Sequence, residues 1–131
     1  MRQFIFTLSL LFPLATPAAT GAWQASGRGV ALSHRGVAAS SAPLRAAETI
    51  NGHITLVYWR YTISEPIPAG LQVQLCAGSR CTAIEGGSGA TRGLANVSAS
   101  EALRFIYTVP GQGGLFPPLR VGRNEVMVNY Q

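Results

Sequence analysis

The chain contains no aspartate and no lysine. Its acids are five separated glutamates, Glu48, Glu65, Glu85, Glu101 and Glu125, and its histidines are only His34 and His53. Glycoside hydrolysis by a carboxylate pair needs two acids flanking one bond, and no two of these glutamates share a motif. Histidine metal sites show short spacings such as His-x-x-x-His, which this pair lacks. Gly87-Ser88-Gly89 falls short of the Gly-x-Ser-x-Gly nucleophile elbow, and no acid is placed to orient a histidine base. Gly111-Gln112-Gly113-Gly114 leads into no helix and so does not read as a phosphate cradle. These shortages argue against an enzyme, and neither a metal nor a cofactor is expected.

Long apolar runs are also scarce. Arg2 precedes one from Phe4 to Leu14, and the small residues Ala15-Thr16-Pro17-Ala18-Ala19 follow, which is the layout of a secretory signal peptide. The run is shorter than the roughly 20 residues that span a bilayer, so no stable membrane insertion is expected. Thr16 and Ala18 favour cleavage after Ala18, with Thr20 and Ala22 offering a second site. The expected organisation is a signal peptide over residues 1–18 and a single domain over 19–131, long enough to bury a modest core without metals.

All ten basic residues are arginines. They stand singly, with no basic run, so nucleic acid is not an expected partner; the mild positive charge leaves acidic partners or anionic lipid headgroups open.

What the chain does have is strand-forming alternation punctuated by glycine and proline. From Gly70 to Gly86, apolar and polar residues alternate along Leu71 to Leu75, and a second short run follows from Cys81 to Glu85. A hairpin with its tip at Ala77 to Arg80 places Leu75 opposite Thr82, Val73 opposite Ile84 and Gln72 opposite Glu85, with apolar side chains on one face. The same register sets the only two cysteines, Cys76 and Cys81, against each other, where a non-hydrogen-bonded pair suits a disulfide. Export to an oxidising compartment agrees with that pairing.

Elsewhere, Trp23 to Arg35 reads as one bulged strand or two short ones. Leu44 to Thr49 fits a helical turn, an edge segment or a loop. His53 to Ile63 carries large residues on both parities and reads as a central strand covered on much of both faces. Gly86 to Gly93 reads as a flexible or tightly turned loop. Ala102 to Val109 alternates clearly, Leu115 to Pro118 reads as a loop, Leu119 and Val121 read as an edge piece, and Glu125 to Tyr130 reads as a closing strand and one candidate sheet edge. Six to eight short strands without a helical period predict an all-β fold, a small two-sheet β-sandwich that is Ig-like in general architecture, with a small β-barrel as the alternative.

Trp59 and Tyr61 flank Arg60, with Tyr58 on the opposite face. This cluster suits either an aromatic surface for sugar or peptide or, through Trp59, an anchor for the sandwich core. Arg35, Trp59, Arg60 and Tyr61 are the candidate partner surface. A chain without convergent chemistry acts by binding, through such a surface or through an open sheet edge.

Several short motifs, in order, give a resemblance. They are Gly21-Ala22-Trp23-Gln24-Ala25-Ser26, Leu32-Ser33-His34-Arg35-Gly36, Ser40-Ser41-Ala42-Pro43-Leu44, Trp59-Arg60-Tyr61, Leu75-Cys76 to Arg80-Cys81, Leu103-Arg104-Phe105-Ile106, Val109-Pro110-Gly111, and Asn124-Glu125-Val126 to Val128-Asn129-Tyr130. Through them the chain resembles the FlhE family of flagellar proteins over essentially its whole mature length. The resemblance implies a periplasmic, non-enzymatic accessory of flagellum biogenesis that limits proton leak through the flagellar type III export channel or acts like a chaperone on rod and filament assembly. The implied partner is a flagellar rod or export-apparatus protein. A periplasmic saccharide- or peptidoglycan-binding module is the competing expectation.

Overall fold

β-Branched and aromatic residues concentrate in several segments between the glycine and proline breaks, and the longest of these runs become strands. A computed structural model of the chain describes residues 20–131. The expected signal peptide and the cut after Ala18 lie outside the described residues. Nine strands follow in order: β1 Gly21–Arg28, β2 Ala31–His34, β3 Ala39–Ser40, β4 Ile54–Ile63, β5 Gln72–Ala77, β6 Arg80–Ile84, β7 Ser88–Thr91, β8 Leu103–Thr108 and β9 Gly114–Tyr130. They form two antiparallel sheets. One runs β1-β9-β4-β7, with β2 paired to the first part of β9, and the other runs β3-β8-β5-β6. The architecture is the expected two-sheet sandwich and not a closed barrel.

The sheets face each other through their alternating apolar residues. Trp23, Val57, Trp59, Tyr61, Val126 and Val128 from the first meet Val73, Leu75, Leu103, Phe105 and Tyr107 from the second. Loop residues Leu44, Leu94 and Ala99 are buried alongside them. Trp23 is fixed in its rotamer by donating its indole N–H to the Ala99 carbonyl at 2.9 Å. A smaller cluster of Leu32, Val109, Leu115 and Leu119 fills the space under the β2–β9 ribbon.

The hairpin forms in the expected register, with Val73 opposite Ile84, Leu75 opposite Thr82 and Cys76 opposite Cys81. β6 ends at Ile84, so Gln72 pairs instead with Thr108 of β8. Because Ala77 pairs with Arg80, the tip closes to the two-residue loop Gly78-Ser79. Gly78 has φ +61° and Ser79 has no positive φ, the type II′ pattern whose twist matches that of the flanking strands. Cys76 and Cys81 are joined by a disulfide on the outer face of this sheet, opposite to the face carrying Leu75. A loop this short stabilises the fold by about 2 kcal/mol on the chain-entropy model. Replacing both cysteines with alanine is therefore expected to lower the urea unfolding free energy by about 2 kcal/mol without loss of the fold; a change below about 0.5 kcal/mol would contradict the staple.

Four expectations need correction. Ser88 to Thr91 is a strand rather than a loop, because its small residues let it lie flat beside β4 with Trp59 opposite Gly89. Residues 114–130 form one long strand rather than a loop, an edge piece and a closing strand. That strand lies between β1 and β4, so Glu125 to Tyr130 is central and not an edge. β4 is covered on only one face, since Tyr58 and Arg60 are exposed.

A bulge keeps β9 in place over its length. Arg123 pairs with Thr62 and Val121 with Ile63, leaving Gly122 as the extra residue. Leu115, Leu119 and Val121 face inward before it, and Asn124, Val126 and Val128 face inward after it. A one-residue insertion is what reverses parity in this way.

Candidate interaction surface

The outer face of the β1-β9-β4-β7 sheet carries two cross-strand rows. Gln24 pairs with Met127, Met127 with Tyr58, and Tyr58 with Ala90; in the next row Ser26 pairs with Glu125, Glu125 with Arg60, and Arg60 with Ser88. Met127 and Tyr58 are 37% and 42% exposed, large apolar groups standing side by side in the open. Together the rows outline a shallow trough of about 610 Å³. Arg60 Nη2 lies 3.8 Å from Glu125 Oε1, and Arg123 Nε lies 3.6 Å from Glu125 Oε2. Solvent screens these exposed pairs, so they orient the side chains more than they stabilise the fold. Arg123 also donates to the Ser26 hydroxyl at 2.6 Å.

The four residues named as a partner surface do not form one patch. Arg60 lies in the trough. Trp59 and Tyr61 point to the other side of β4 and are buried, with their rings stacked at 6.1 Å. Trp59 fits there because residue 89 is glycine: a Cβ at that position would lie 2.8 Å from the indole Cζ2. Tyr61 borders a second cleft of about 470 Å³ at the mouth between the sheets, lined also by Ile63, Ile67, Leu71 and Ile84. Arg35 occupies the turn after β2, where its N–H donates to the Gly113 carbonyl at 2.8 Å. Met127 is the trough residue that sequence reasoning missed. The signal was the alternation of β9 itself, which sets Met127 on the face opposite Val126 and Val128.

The path of this sheet ends on β1 and on β7, and β7 is the edge that borders the trough. Tyr61 N–H donates to the Gly87 carbonyl at 2.9 Å, so Gly89 and Thr91 also direct their backbone groups at β4, and those of Ser88 and Ala90 point outward. The edge of β6 is different, because Gly93 packs directly on Thr82 and Arg80 reaches the Ala95 carbonyl at 3.2 Å. Among the described residues, no three His, Cys, Asp or Glu side chains come together. Nor do the described residues contain a helix long and apolar enough to cross a membrane.

Inside the sandwich, the Tyr107 hydroxyl donates to Asn124 Oδ1, and Asn124 Nδ2 donates to the Arg28 carbonyl at 3.2 Å. Burial pushes the Tyr61 hydroxyl above its ordinary pKa of 10.0. Tyr107 is pushed up further, first by burial and then by Tyr61 beside it. Such a group stays neutral in the fold while it ionises in the unfolded chain, so stability is unaffected below pH about 10 and falls as pH rises above it. With no lysine and both cysteines tied in a disulfide, tyrosines dominate side-chain titration in that range. Urea unfolding is expected to show stability falling by about 1.4 kcal/mol per pH unit from Tyr107 above pH about 10. Tyr107→Phe should flatten that slope, and an unchanged slope would contradict the assignment.

Residues 29–131 match the family model for flagellar protein FlhE. The chain is 55% identical over 132 residues to the flagellar protein FlhE of Salmonella typhimurium, covering 100% of both. It is 54% identical over 123 residues to the flagellar protein FlhE of Escherichia coli, covering 93% of this chain and 95% of the relative. A crystal structure of FlhE superposes with a TM-score of 0.84 at 54% identity, covering 87% of this chain and 99% of that one. A serine protease of Aeromonas sobria shares the fold alone, with a TM-score of 0.68 at 7% identity over 90% of this chain and 28% of that one. The match to flagellar proteins over the full length supports a flagellar accessory role, and the chain belongs to the FlhE family.

Proposed function

We propose that the chain is exported to the periplasm and acts there by binding a flagellar rod or export-apparatus protein, limiting proton leak through the type III export channel or restraining premature rod and filament assembly. The observation that carries this reading is the near-complete match to flagellar FlhE proteins in a chain whose open features are a docking trough and a free strand edge. The disulfide supports an oxidising compartment. Processing after Ala18 keeps β1 whole, whereas processing after Ala22 would remove Gly21 and Ala22, which pair with Tyr130 and Asn129. Met127 and Tyr58 supply the apolar centre and Arg60 the charged rim that partner surfaces combine.

The test is a deletion strain carrying either the natural gene or the Tyr58→Glu/Met127→Glu variant. The natural gene is expected to restore both cytoplasmic pH and the absence of periplasmic filaments, and the variant, at equal protein level, neither. A deletion strain normal in both measurements removes the proposal. The exposed Tyr58 ring also suits stacking against a sugar, so purified sacculi discriminate the saccharide reading: retention in the absence of rod proteins favours peptidoglycan.

A further inference from the structure

The sequence spaces its arginines singly, but the fold lines several up along one ribbon. Arg28 closes β1 directly opposite Arg123, Arg120 pairs with Ala31 of β2, and Arg35 follows β2 in the turn beside Gly113. Arg123 is paired with Glu125, whereas Arg28, Arg35 and Arg120 have no ion-pair partner among the described residues. Residues 28–36 and 113–123, which make up this ribbon, contain no carboxylate. Two acids border it: Glu125, which pairs with Arg123, and Glu65, next to Ser64, whose N–H donates to the Arg120 carbonyl at 2.9 Å.

The same ribbon exposes an aromatic ring. Leu115 and Leu119 turn inward onto Leu32, so Phe116 turns outward and is 92% exposed. Gly114 makes room for it, since a Cβ there would lie 2.9 Å from the Phe116 ring. None of the clefts described above includes Phe116 or the three unpaired arginines. A protein partner would have to bring its own pocket for a ring that protrudes this far. A fluid interface needs none: the ring enters the headgroup boundary while guanidiniums meet lipid phosphates.

We propose that the β2–β9 ribbon is a peripheral docking site for an anionic phospholipid surface, with Phe116 entering the interface and Arg28, Arg35 and Arg120 facing the phosphates. This site is separate from the Tyr58–Met127 trough and does not depend on the flagellar partner.

Flotation of the protein as isolated from cells, with vesicles of phosphatidylcholine alone or mixed with phosphatidylglycerol, tests it at low and high salt. Binding is expected only to the phosphatidylglycerol vesicles and should weaken with salt. The Arg28→Gln/Arg35→Gln/Arg120→Gln variant should bind at least about tenfold more weakly. A charge-matched control, Arg45→Gln/Arg92→Gln/Arg104→Gln, should lose less than about threefold. In Phe116→Trp, the new indole emission should shift to the blue on binding, against Trp23 and Trp59, which are already buried. No binding to phosphatidylglycerol vesicles, equal losses in the two triple variants, or an unshifted emission each overturns the proposal. Ribbon-dependent binding to polyglutamate with none to vesicles also overturns it, in favour of an acidic protein segment.

Discussion

Phe105→Ala is expected to lower the unfolding free energy by about 4 kcal/mol, the largest single effect of any substitution considered for this fold. Phe105 is fully buried in β8, opposite Leu75. Its ring lies edge-on to Tyr61 at 6.1 Å and is stacked with Tyr107 at 6.2 Å. Its backbone is held as well: Phe105 N–H donates to the Ser41 hydroxyl at 2.9 Å, and Ser41 N–H donates to the Phe105 carbonyl at 2.8 Å. That clamp prevents β8 from moving inward to fill the space left by the ring. Small domains are stable by roughly 5–15 kcal/mol, so this one change removes a large share. The urea midpoint measures it, and a loss below about 2 kcal/mol would mean the two sheets are not held together through this aromatic cluster.

The second large effect is expected at Asn124, the buried amide that joins the sheets through Tyr107 and secures the end of β1 through the Arg28 carbonyl. Asn124→Ala leaves a tyrosine hydroxyl and a carbonyl without partners in a dry interior, at a cost of about 3 kcal/mol. Tyr107→Phe alone should cost less, because it removes the hydroxyl along with its need for a partner. The double variant should then be less destabilised than the sum of the singles, with a coupling of about 1 kcal/mol or more. Strict additivity in urea unfolding would show that the two side chains do not act as a unit.

The hairpin was legible because its evidence was local. Period-two alternation, bracketing glycines and two cysteines five residues apart all required the same register, and side-chain parity admits no one-residue slip. The β7 strand was not legible, since Ser-Gly-Ala-Thr has no strand-forming composition. It becomes a strand only because the Trp59 indole needs a flat, side-chain-free neighbour at Gly89, a tertiary requirement. β9 was divided in three because Pro117, Pro118 and Gly122 interrupt its pattern. In the fold the prolines stand where β9 has only β2 for a neighbour, and the glycine is the bulge.

The surface was legible in the same uneven way. The Trp59-Arg60-Tyr61 triplet marked the right strand, and alternation alone put Arg60 opposite in direction to its aromatic neighbours. Which direction was outward depended on which sheet β4 joined. Met127 meets Tyr58, and Arg28 meets Arg123, only through pairings 69 and 95 residues apart along the chain, which no local pattern encodes.

Photoreactive residues placed in intact cells test the central claim most directly, at position 58 in the trough and at position 74 on the outer face of the opposite sheet. The account predicts that position 58 crosslinks to a flagellar rod or export-apparatus protein while position 74 does not. Equal crosslinking from both faces, or capture at position 58 of peptidoglycan alone, would contradict it.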